Sequence, residues 1–209
     1  MRPLHLELEI AYREDDGSSS VRRLTVKQFE LQADGSQALL AAHCSSSSSF
    51  RQFHSSRIER CVELASGEQV HDLPVLLAER YACSRQGRLE RLQEALAEEL
   101  AVLLSLGHAD RLLQSREQEL IAAFLHPRQP QRPGAEPLTP AQIASHLRWL
   151  PEPTPERFAG AVELLAARAS EELQILFATC LEVVDVRAAR EGGEQPAIDH
   201  LQDRWFGGC

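Results

Sequence analysis

The hydrophobic periodicity of this chain of 209 residues changes once, near Pro74. Before that point apolar and polar residues alternate, which is the pattern of a strand with one buried face. The first such strand carries Leu4, Leu6, Leu8 and Ile10. Beyond it, steps of three and four residues place the leucines on one face of a helix, as in Leu89, Leu92, Leu96, Leu100, Leu103 and Leu104. The chain is therefore predicted to belong to the α+β class.

The first 72 residues predict a small β module. Turn residues at 15–18 and at Asp34–Gly35 separate about five short strand-like runs. That number suits a small barrel and leaves too few residues for a sandwich. The serine run Ser45–Ser49 lies between two of these strand-like runs, so we expect it to form the tip of a hairpin. A flexible linker is the alternative for so many serines in a row.

The rest of the chain predicts helices without strands. Residues 73–87 are assigned to a connector, and residues 88–206 to an all-helical domain. Four prolines within residues 126–137 are incompatible with a regular helix there. We expect this segment to be an irregular loop that is mobile unless something binds it.

Helix starts are well marked after the proline-rich loop. Thr139–Pro140 and Thr154–Pro155 each place a capping side chain before a proline at the first helical position. Ser170 is followed by two glutamates, whose charge the N-terminus of a helix favours. A last helix is predicted from near Pro196 to just before Gly207.

The charge of the chain is negative overall and locally positive. The formal net charge is −9, which argues against bulk binding of duplex nucleic acid. Residues 20–60 nevertheless hold six arginines and lysines against three acidic residues. A basic strip of this kind can attract an anion to an acidic protein.

The cysteines are odd in number and form no Cys-x-x-Cys pair. They are Cys44, Cys61, Cys83, Cys180 and Cys209. This usage predicts reduced thiols and a cytoplasmic location. The alternating N-terminus lacks the continuous apolar core of a signal peptide, and no apolar run is long enough to predict a membrane span.

Part of the N-terminal module resembles the WYL domain, a small Sm-like barrel of bacterial regulators. The likeness lies in Arg22–Val26, which resembles the family's second strand, and in Leu39–Cys44, which sits where the family's name-giving tripeptide leads into an alanine-aromatic-cysteine end. It lies also in Phe50–Ile58, which resembles the family's Arg-x-Phe-Arg-Leu-Asp-Arg-Ile segment. The Trp-Tyr pair that names the family is absent, and His54 and Ser56 replace its central arginine and aspartate. The resemblance implies an Sm/SH3-like barrel.

The same resemblance implies a ligand site for an anion, either a nucleotide or single-stranded nucleic acid. Its candidate residues are Arg51, His54 and Arg57. Alternation along a strand places Arg51 and His54 on opposite faces unless the strand bends between them. The alternative is that these side chains are solvated and only cover apolar neighbours with their stems.

Residues 88–206 resemble the TerB-type helical fold of tellurite-resistance proteins. The likeness lies in Ala109–Glu117 and, as a second copy, in Val184–Val186 with Glu194. Both copies lack the glycine after the aspartate that lets a loop aim its oxygens at a divalent cation. A divalent-metal-binding stress protein is therefore an alternative function, and no metal or cofactor is assigned. The structural alternative is that Asp110 caps a turn and Glu117 stands in the first turn of a helix.

Motifs of catalysis are missing from the sequence. It contains no P-loop, no dinucleotide-binding glycine motif, no HExxH and no GxSxG. We therefore expect a non-enzymatic protein. The first hypothesis is a regulatory sensor whose barrel binds an anionic ligand while its helical domain contacts a protein partner. The second hypothesis is a protein–protein adaptor in a stress or phage-defence response that binds no small ligand.

Overall fold

The structure is a computed structural model that describes residues 1–108, 113–188 and 195–207. The chain divides into two compact units, Met1–Gly87 and Arg88–Cys209. Strands β1 to β6 all lie in the first unit, and the regular structure described for the second unit is helical. The α+β class predicted from the sequence is therefore confirmed.

The six strands form one antiparallel sheet with the order β4-β3-β2-β1-β5-β6. Their bounds are Arg2–Arg13 (β1), Ser19–Leu31 (β2), Ala38–Cys44 (β3), Ser49–His54 (β4), Ile58–Glu63 (β5) and Gln69–Val70 (β6). The strand-like runs within 21–31 form the single strand β2, whose register with β3 shifts at a bulge between Val26 and Gln28. Ser45–Ser48 connects β3 to β4 as a hairpin, with Cys44 paired to Ser49, so the hairpin interpretation of the serine run is confirmed.

The sheet is strongly curled. Strand β4 ends at His54 and β5 begins at Ile58, on the other side of β1, after only a 3-10 turn at Ser55–Arg57. So short a connection brings these strand ends within about 14 Å of each other. The rings of Tyr12 on β1 and Phe53 on β4 meet edge to face at 5.1 Å, although β2 and β3 lie between their strands.

The expected closed barrel is nevertheless not confirmed, because the sheet is open. Strand β5 pairs with β1 and with the two-residue strand β6, and β4 pairs with β3. Helix α1, Leu73–Cys83, packs into the core of the sheet through Leu73, Leu77 and Tyr81. Tyr81 meets Phe29 of β2 edge to face at 5.8 Å. A helix thus covers apolar surface that a barrel would bury by closing on itself.

The segment assigned to a connector is largely helical. Helix α1 occupies 73–83 and is an integral part of the first core. Asp72 caps it by accepting a hydrogen bond from Val75 N at 3.0 Å, and Pro74 occupies the first turn. Leu73, Leu77 and Tyr81 recur at four-residue steps, which aligns them on one helix face.

The remaining helices share one core, in which leucines predominate. Their bounds are Arg85–Ala95 (α2), Ala97–Gly107 (α3), Ser115–Leu125 (α4), Pro140–Leu147 (α5), Pro155–Leu165 (α6), Ser170–Ala188 (α7) and Gln195–Phe206 (α8). Val102, Leu103, Ile121 and Leu201 are fully buried in that core. No helix in the described ranges combines the length and apolar character that crossing a membrane requires.

The predicted helix starts and the irregular loop are confirmed. Thr139 and Thr154 accept hydrogen bonds from Gln142 N at 3.3 Å and from Arg157 N at 3.2 Å. After a 3-10 turn at His126–Arg128 the proline-rich segment contains no helix or strand before α5. The Gln129 side chain closes this loop, because its amide accepts from Leu138 N at 2.7 Å and donates to Leu138 O at 3.2 Å.

Candidate functional site

Of the three residues predicted to bind an anion, two lie on β4 and the third lies on the 3-10 turn that follows it. Arg51 and His54 are exposed on β4, three residues apart, and strand alternation directs them to opposite faces. Arg51 Nε donates to Ser49 Oγ at 3.2 Å. Among the described residues neither Arg51 nor His54 has a carboxylate within ion-pair distance. Both side chains are thus accessible to a ligand.

Arg57 is held by the protein itself. It lies on the 3-10 turn, where its Nε donates to Arg13 O at 2.8 Å and its Nη1 to Asp15 Oδ1 at 2.6 Å. The guanidinium carbon sits 4.9 Å from the centre of the Tyr12 ring. Only 29% of the Arg57 side chain is accessible, so the residue is half-buried. Arg57 secures the turn between β4 and β5 to the end of β1.

A second polar cluster of the sheet surrounds Cys44, at the end of β3. Arg22 Nη1 lies 3.7 Å from Cys44 Sγ, and Ser46 Oγ lies 3.1 Å from it. Arg22 is oriented in turn by an ion pair with Glu14. Burial alone would raise the pKa of the Cys44 thiol, but hydrogen bonds with Ser46, Ser47 and Arg22 outweigh it and lower the pKa to about 6.

The other described cysteines differ from Cys44. Burial raises the pKa of Cys61 to about 11 and also raises the pKa of Cys180. Cys44, Cys61, Cys83 and Cys180 are free thiols. Cys44 and Cys61 thus form no disulfide with each other, and Cys209 lies outside the described residues.

The acidic segments that suggested a metal site offer little to a cation where they are described. Glu117 stands in the first turn of α4, is buried, and accepts a hydrogen bond from Gln114 N at 2.7 Å. The structural alternative for Glu117 is thus confirmed, whereas Asp110 and Glu194 lie outside the described residues. Within the described ranges, no group of three or more His, Cys, Asp or Glu side chains could hold a metal ion.

The surface of the helical unit contains a groove of about 480 Å³. Helices α2 and α3, the segment 150–153 and the start of α6 form its walls. Its apolar lining consists of Ala97, Leu100, Ala101, Leu104, Leu150, Pro151 and Pro153. We call this feature the α2/α3 groove.

The rim of the α2/α3 groove is acidic. Glu90, Glu94 and Glu152 line it, together with the single cation Arg157 among the lining residues described. Arg157 is already neutralised, because its Nη2 donates to Glu98 Oε1 at 3.1 Å. The rim therefore presents a net negative charge next to an apolar floor.

The turn that ends α5 places a large aromatic residue beside the groove. Trp149 precedes the lining residue Leu150 and is 76% exposed. The Arg148 guanidinium carbon lies 5.5 Å from its ring centre. His146, one turn earlier, lies 3.5 Å from Oε1 of the lining residue Gln93. Burial lowers the pKa of His146, so its imidazole adds no positive charge near pH 7.

Sequence reasoning did not identify this groove. Its walls come from segments about 50 residues apart, and only packing of the helices brings them together. The sequence did contain one indication of it. Trp149 lies between the helix predicted to start at Pro140 and the helix-breaking Pro151, and it belongs to no apolar stripe that would bury it. Comparisons with family models, with curated proteins and with solved structures found no match for the chain.

Proposed function

We propose that this chain is a non-enzymatic adaptor whose helical unit binds a basic, amphipathic segment of a partner protein in the α2/α3 groove. The observation that carries this proposal is the combination of an apolar floor with an acidic rim. An apolar stripe of the partner would cover the accessible lining residues Ala97, Leu150 and Pro151. Flanking lysines or arginines would face Glu94 and Glu152. Recognition of an amphipathic helix in a groove works in this way.

Trp149 supports the same proposal. Tryptophan is enriched among the residues that contribute most to protein–protein binding. An indole with so large an exposed surface, next to an apolar groove, gives a partner further area to cover. The acidic rim would also accelerate association with a basic partner at low ionic strength.

The test uses a labelled amphipathic peptide of leucine and lysine, with the matching leucine and glutamate peptide as the reference. We expect the full chain to bind the basic peptide and not the acidic one. The double variant Glu94→Lys, Glu152→Lys should weaken binding by about tenfold or more, which corresponds to about 1.4 kcal/mol. Ala97→Phe should also weaken it, because the larger side chain fills the groove without changing the charge.

The matched control changes the same charge elsewhere. Glu136 and Glu182 are exposed and do not line the groove. The double variant Glu136→Lys, Glu182→Lys should keep most of the affinity. If this control weakens binding as much as the groove variant does, general charge attraction explains the result and the proposal fails.

Anion binding by the sheet unit is our second proposal, and the exposure of the Arg51 and His54 side chains supports it. The curl of the sheet supports the barrel-like form that the WYL resemblance implies. Titration with a nucleotide and with a short single-stranded oligonucleotide at two salt concentrations tests the proposal. Unchanged affinity in Arg51→Ala and in His54→Ala would exclude these residues as a site.

A further inference from the structure

A second, smaller cavity of the helical unit has the features of a ligand site. It measures about 180 Å³ and lies where α3 begins, α6 ends and α7 begins. Leu165, Leu173 and Leu176 belong to its apolar lining, and all three are buried. This volume is below the range of pockets that hold drug-sized ligands, so only a small molecule fits.

Glu99 lines this cavity and has an unsatisfied acceptor. The residue is 4% exposed, and its Oε1 accepts a hydrogen bond from Arg168 Nη1 at 2.5 Å. Its other carboxylate oxygen, Oε2, is enclosed and receives no hydrogen bond from the described residues. A buried carboxylate oxygen without a donor is unfavourable, and an N–H group of a ligand would relieve that cost.

Arg128 lines the same cavity and offers the complementary group. Its Nη1 donates to Phe124 O at 2.7 Å, and its guanidinium carbon stacks 4.0 Å from the centre of the Phe124 ring. These contacts orient the side chain, and in the described ranges no carboxylate lies within ion-pair distance of it. A guanidinium held in this way suits a carboxylate, which it can bind through two parallel hydrogen bonds.

The charges that face the cavity decide the class of ligand. Glu99 and Glu172 balance Arg128 and Arg168 among the described lining residues. A simple anion would meet Glu99, and a simple cation would meet Arg128. We propose that the cavity binds a small zwitterion with an apolar side chain, the class of the apolar α-amino acids. Its ammonium group would donate to Glu99 Oε2, its carboxylate would bind Arg128, and its side chain would lie against the leucines.

The experiment is a calorimetric titration of the full chain with L-leucine. Two analogues separate the ends of the molecule: 4-methylpentanoate lacks the amine, and 3-methylbutylamine lacks the carboxylate. We expect saturable binding of L-leucine, and we expect each analogue to bind at least about tenfold more weakly. Absence of L-leucine binding at millimolar concentration, or equal binding of the three molecules, would overturn the proposal.

Variants assign each end to its residue. Arg128→Leu should abolish the difference between L-leucine and 3-methylbutylamine, whereas Glu99→Gln should abolish the difference between L-leucine and 4-methylpentanoate. Arg116→Leu is the matched control, since Arg116 stands two turns earlier than Phe124 on α4 and does not line the cavity. Its affinity for L-leucine should be unchanged. If Glu99→Gln does not fold, the Arg128→Leu variant alone tests the proposal, because Arg128 is only half-buried. The proposal is contradicted if Arg128→Leu still binds L-leucine more tightly than 3-methylbutylamine by the same factor as the wild type.

Discussion

Arg57 stacks on the ring of Tyr12, with its guanidinium carbon 4.9 Å from the ring centre, and it also donates to the backbone of β1 at Arg13 O. The same Tyr12 ring meets Phe53 of β4 edge to face. The Tyr12 side chain thus connects the end of β1 with the edge strand β4 and with the 3-10 turn that follows β4. The curl of the sheet depends on this cluster, because no strand pairing between β4 and β5 is present among the described residues.

Arg57→Ala should therefore destabilise the sheet unit rather than only remove a surface charge. Loss of the stacking contact and of the hydrogen bonds should together lower the free energy of unfolding by about 1–2 kcal/mol. Hydrogen-exchange protection of the β1 and β5 amides would report it within the intact chain. Arg51→Ala is the control, because Arg51 is exposed and should change stability by less than about 0.5 kcal/mol. Equal protection in the two variants would contradict the role given to Arg57.

Local patterns in the sequence were sufficient for much of the fold. The alternation of Leu4 to Ile10 predicts β1, and the threonine–proline pairs predict the starts of α5 and α6. The bulge between Val26 and Gln28 was not predicted, because two residues that interrupt an alternation resemble a turn. Helix α1 was assigned to a connector although Leu73, Leu77 and Tyr81 carried the helical period.

The candidate sites were harder to predict than the fold, because they depend on tertiary packing. The acidic rim of the α2/α3 groove combines Glu94 with Glu152, and nothing local relates the two. The packing of Arg57 on Tyr12 depends likewise on the curl of the whole sheet. Strand alternation places Arg51 and His54 on opposite faces of β4, so the sequence itself indicated that these two residues do not share one face.

The Glu63–Arg80 pair should make the sheet unit sensitive to acid. Glu63 is buried and accepts from Arg80 Nη2 at 2.7 Å, and this hydrogen bond holds the pKa of Glu63 below its ordinary value. The contribution of ionised Glu63 to the free energy of unfolding is complete above the pKa of about 4.3 that a glutamate has in the unfolded chain. It is lost as the pH falls through the lower pKa of Glu63 in the folded protein. Arg80→Leu should cost about 1–2 kcal/mol at pH 7, since the pair is half-exposed on the arginine side.

Urea titrations at several pH values would measure this dependence. The difference in unfolding free energy between wild type and Arg80→Leu should narrow as the pH falls from about 4 through the lower folded pKa of Glu63, because Glu63 then becomes protonated in the wild type as well. Arg116→Leu removes an exposed pair with Glu119 and should cost less than about 0.5 kcal/mol. If the difference in unfolding free energy between wild type and Arg80→Leu does not change with pH, the destabilisation comes from lost packing of the arginine side chain and not from the loss of its charge.

Two glycines in helices should respond to alanine with opposite signs. A Cβ on Gly87 would lie 2.1 Å from the backbone oxygen of Tyr81, whereas a Cβ on Gly160 of α6 would meet nothing within 4 Å. Gly87→Ala should therefore destabilise the chain by about 1–3 kcal/mol through the forced shift of the backbone. Gly160→Ala should stabilise it by about 0.5–1 kcal/mol, because alanine loses less conformational entropy in a helix. Thermal melts of the two variants under the same conditions would compare them, and a shift of the same sign in both would contradict the packing around Gly87.

Cys44 should titrate far below an ordinary thiol, and Arg22 should be one cause. Its pKa of about 6 compares with about 8.5 for a cysteine in an unfolded chain. The thiolate absorbance of the folded protein should therefore rise near pH 6, in a step that Cys44→Ser removes. Cys61 and Cys180 do not interfere, because burial raises the pKa of both.

Arg22→Met should move this step towards higher pH, because the variant loses both the hydrogen bond and the positive charge next to the sulfur. Arg23→Met is the matched control, since Arg23 is the next residue on β2 and pairs with Glu9 instead. A lowered folded pKa also means that Cys44 contributes stability that is complete above about pH 8.5 and is lost as the pH falls through about 6. Unfolding free energies measured across that interval should rise with pH in the wild type and rise less in Cys44→Ser. Identical titrations of the Arg22 and Arg23 variants would show that the serine hydroxyls alone lower the pKa.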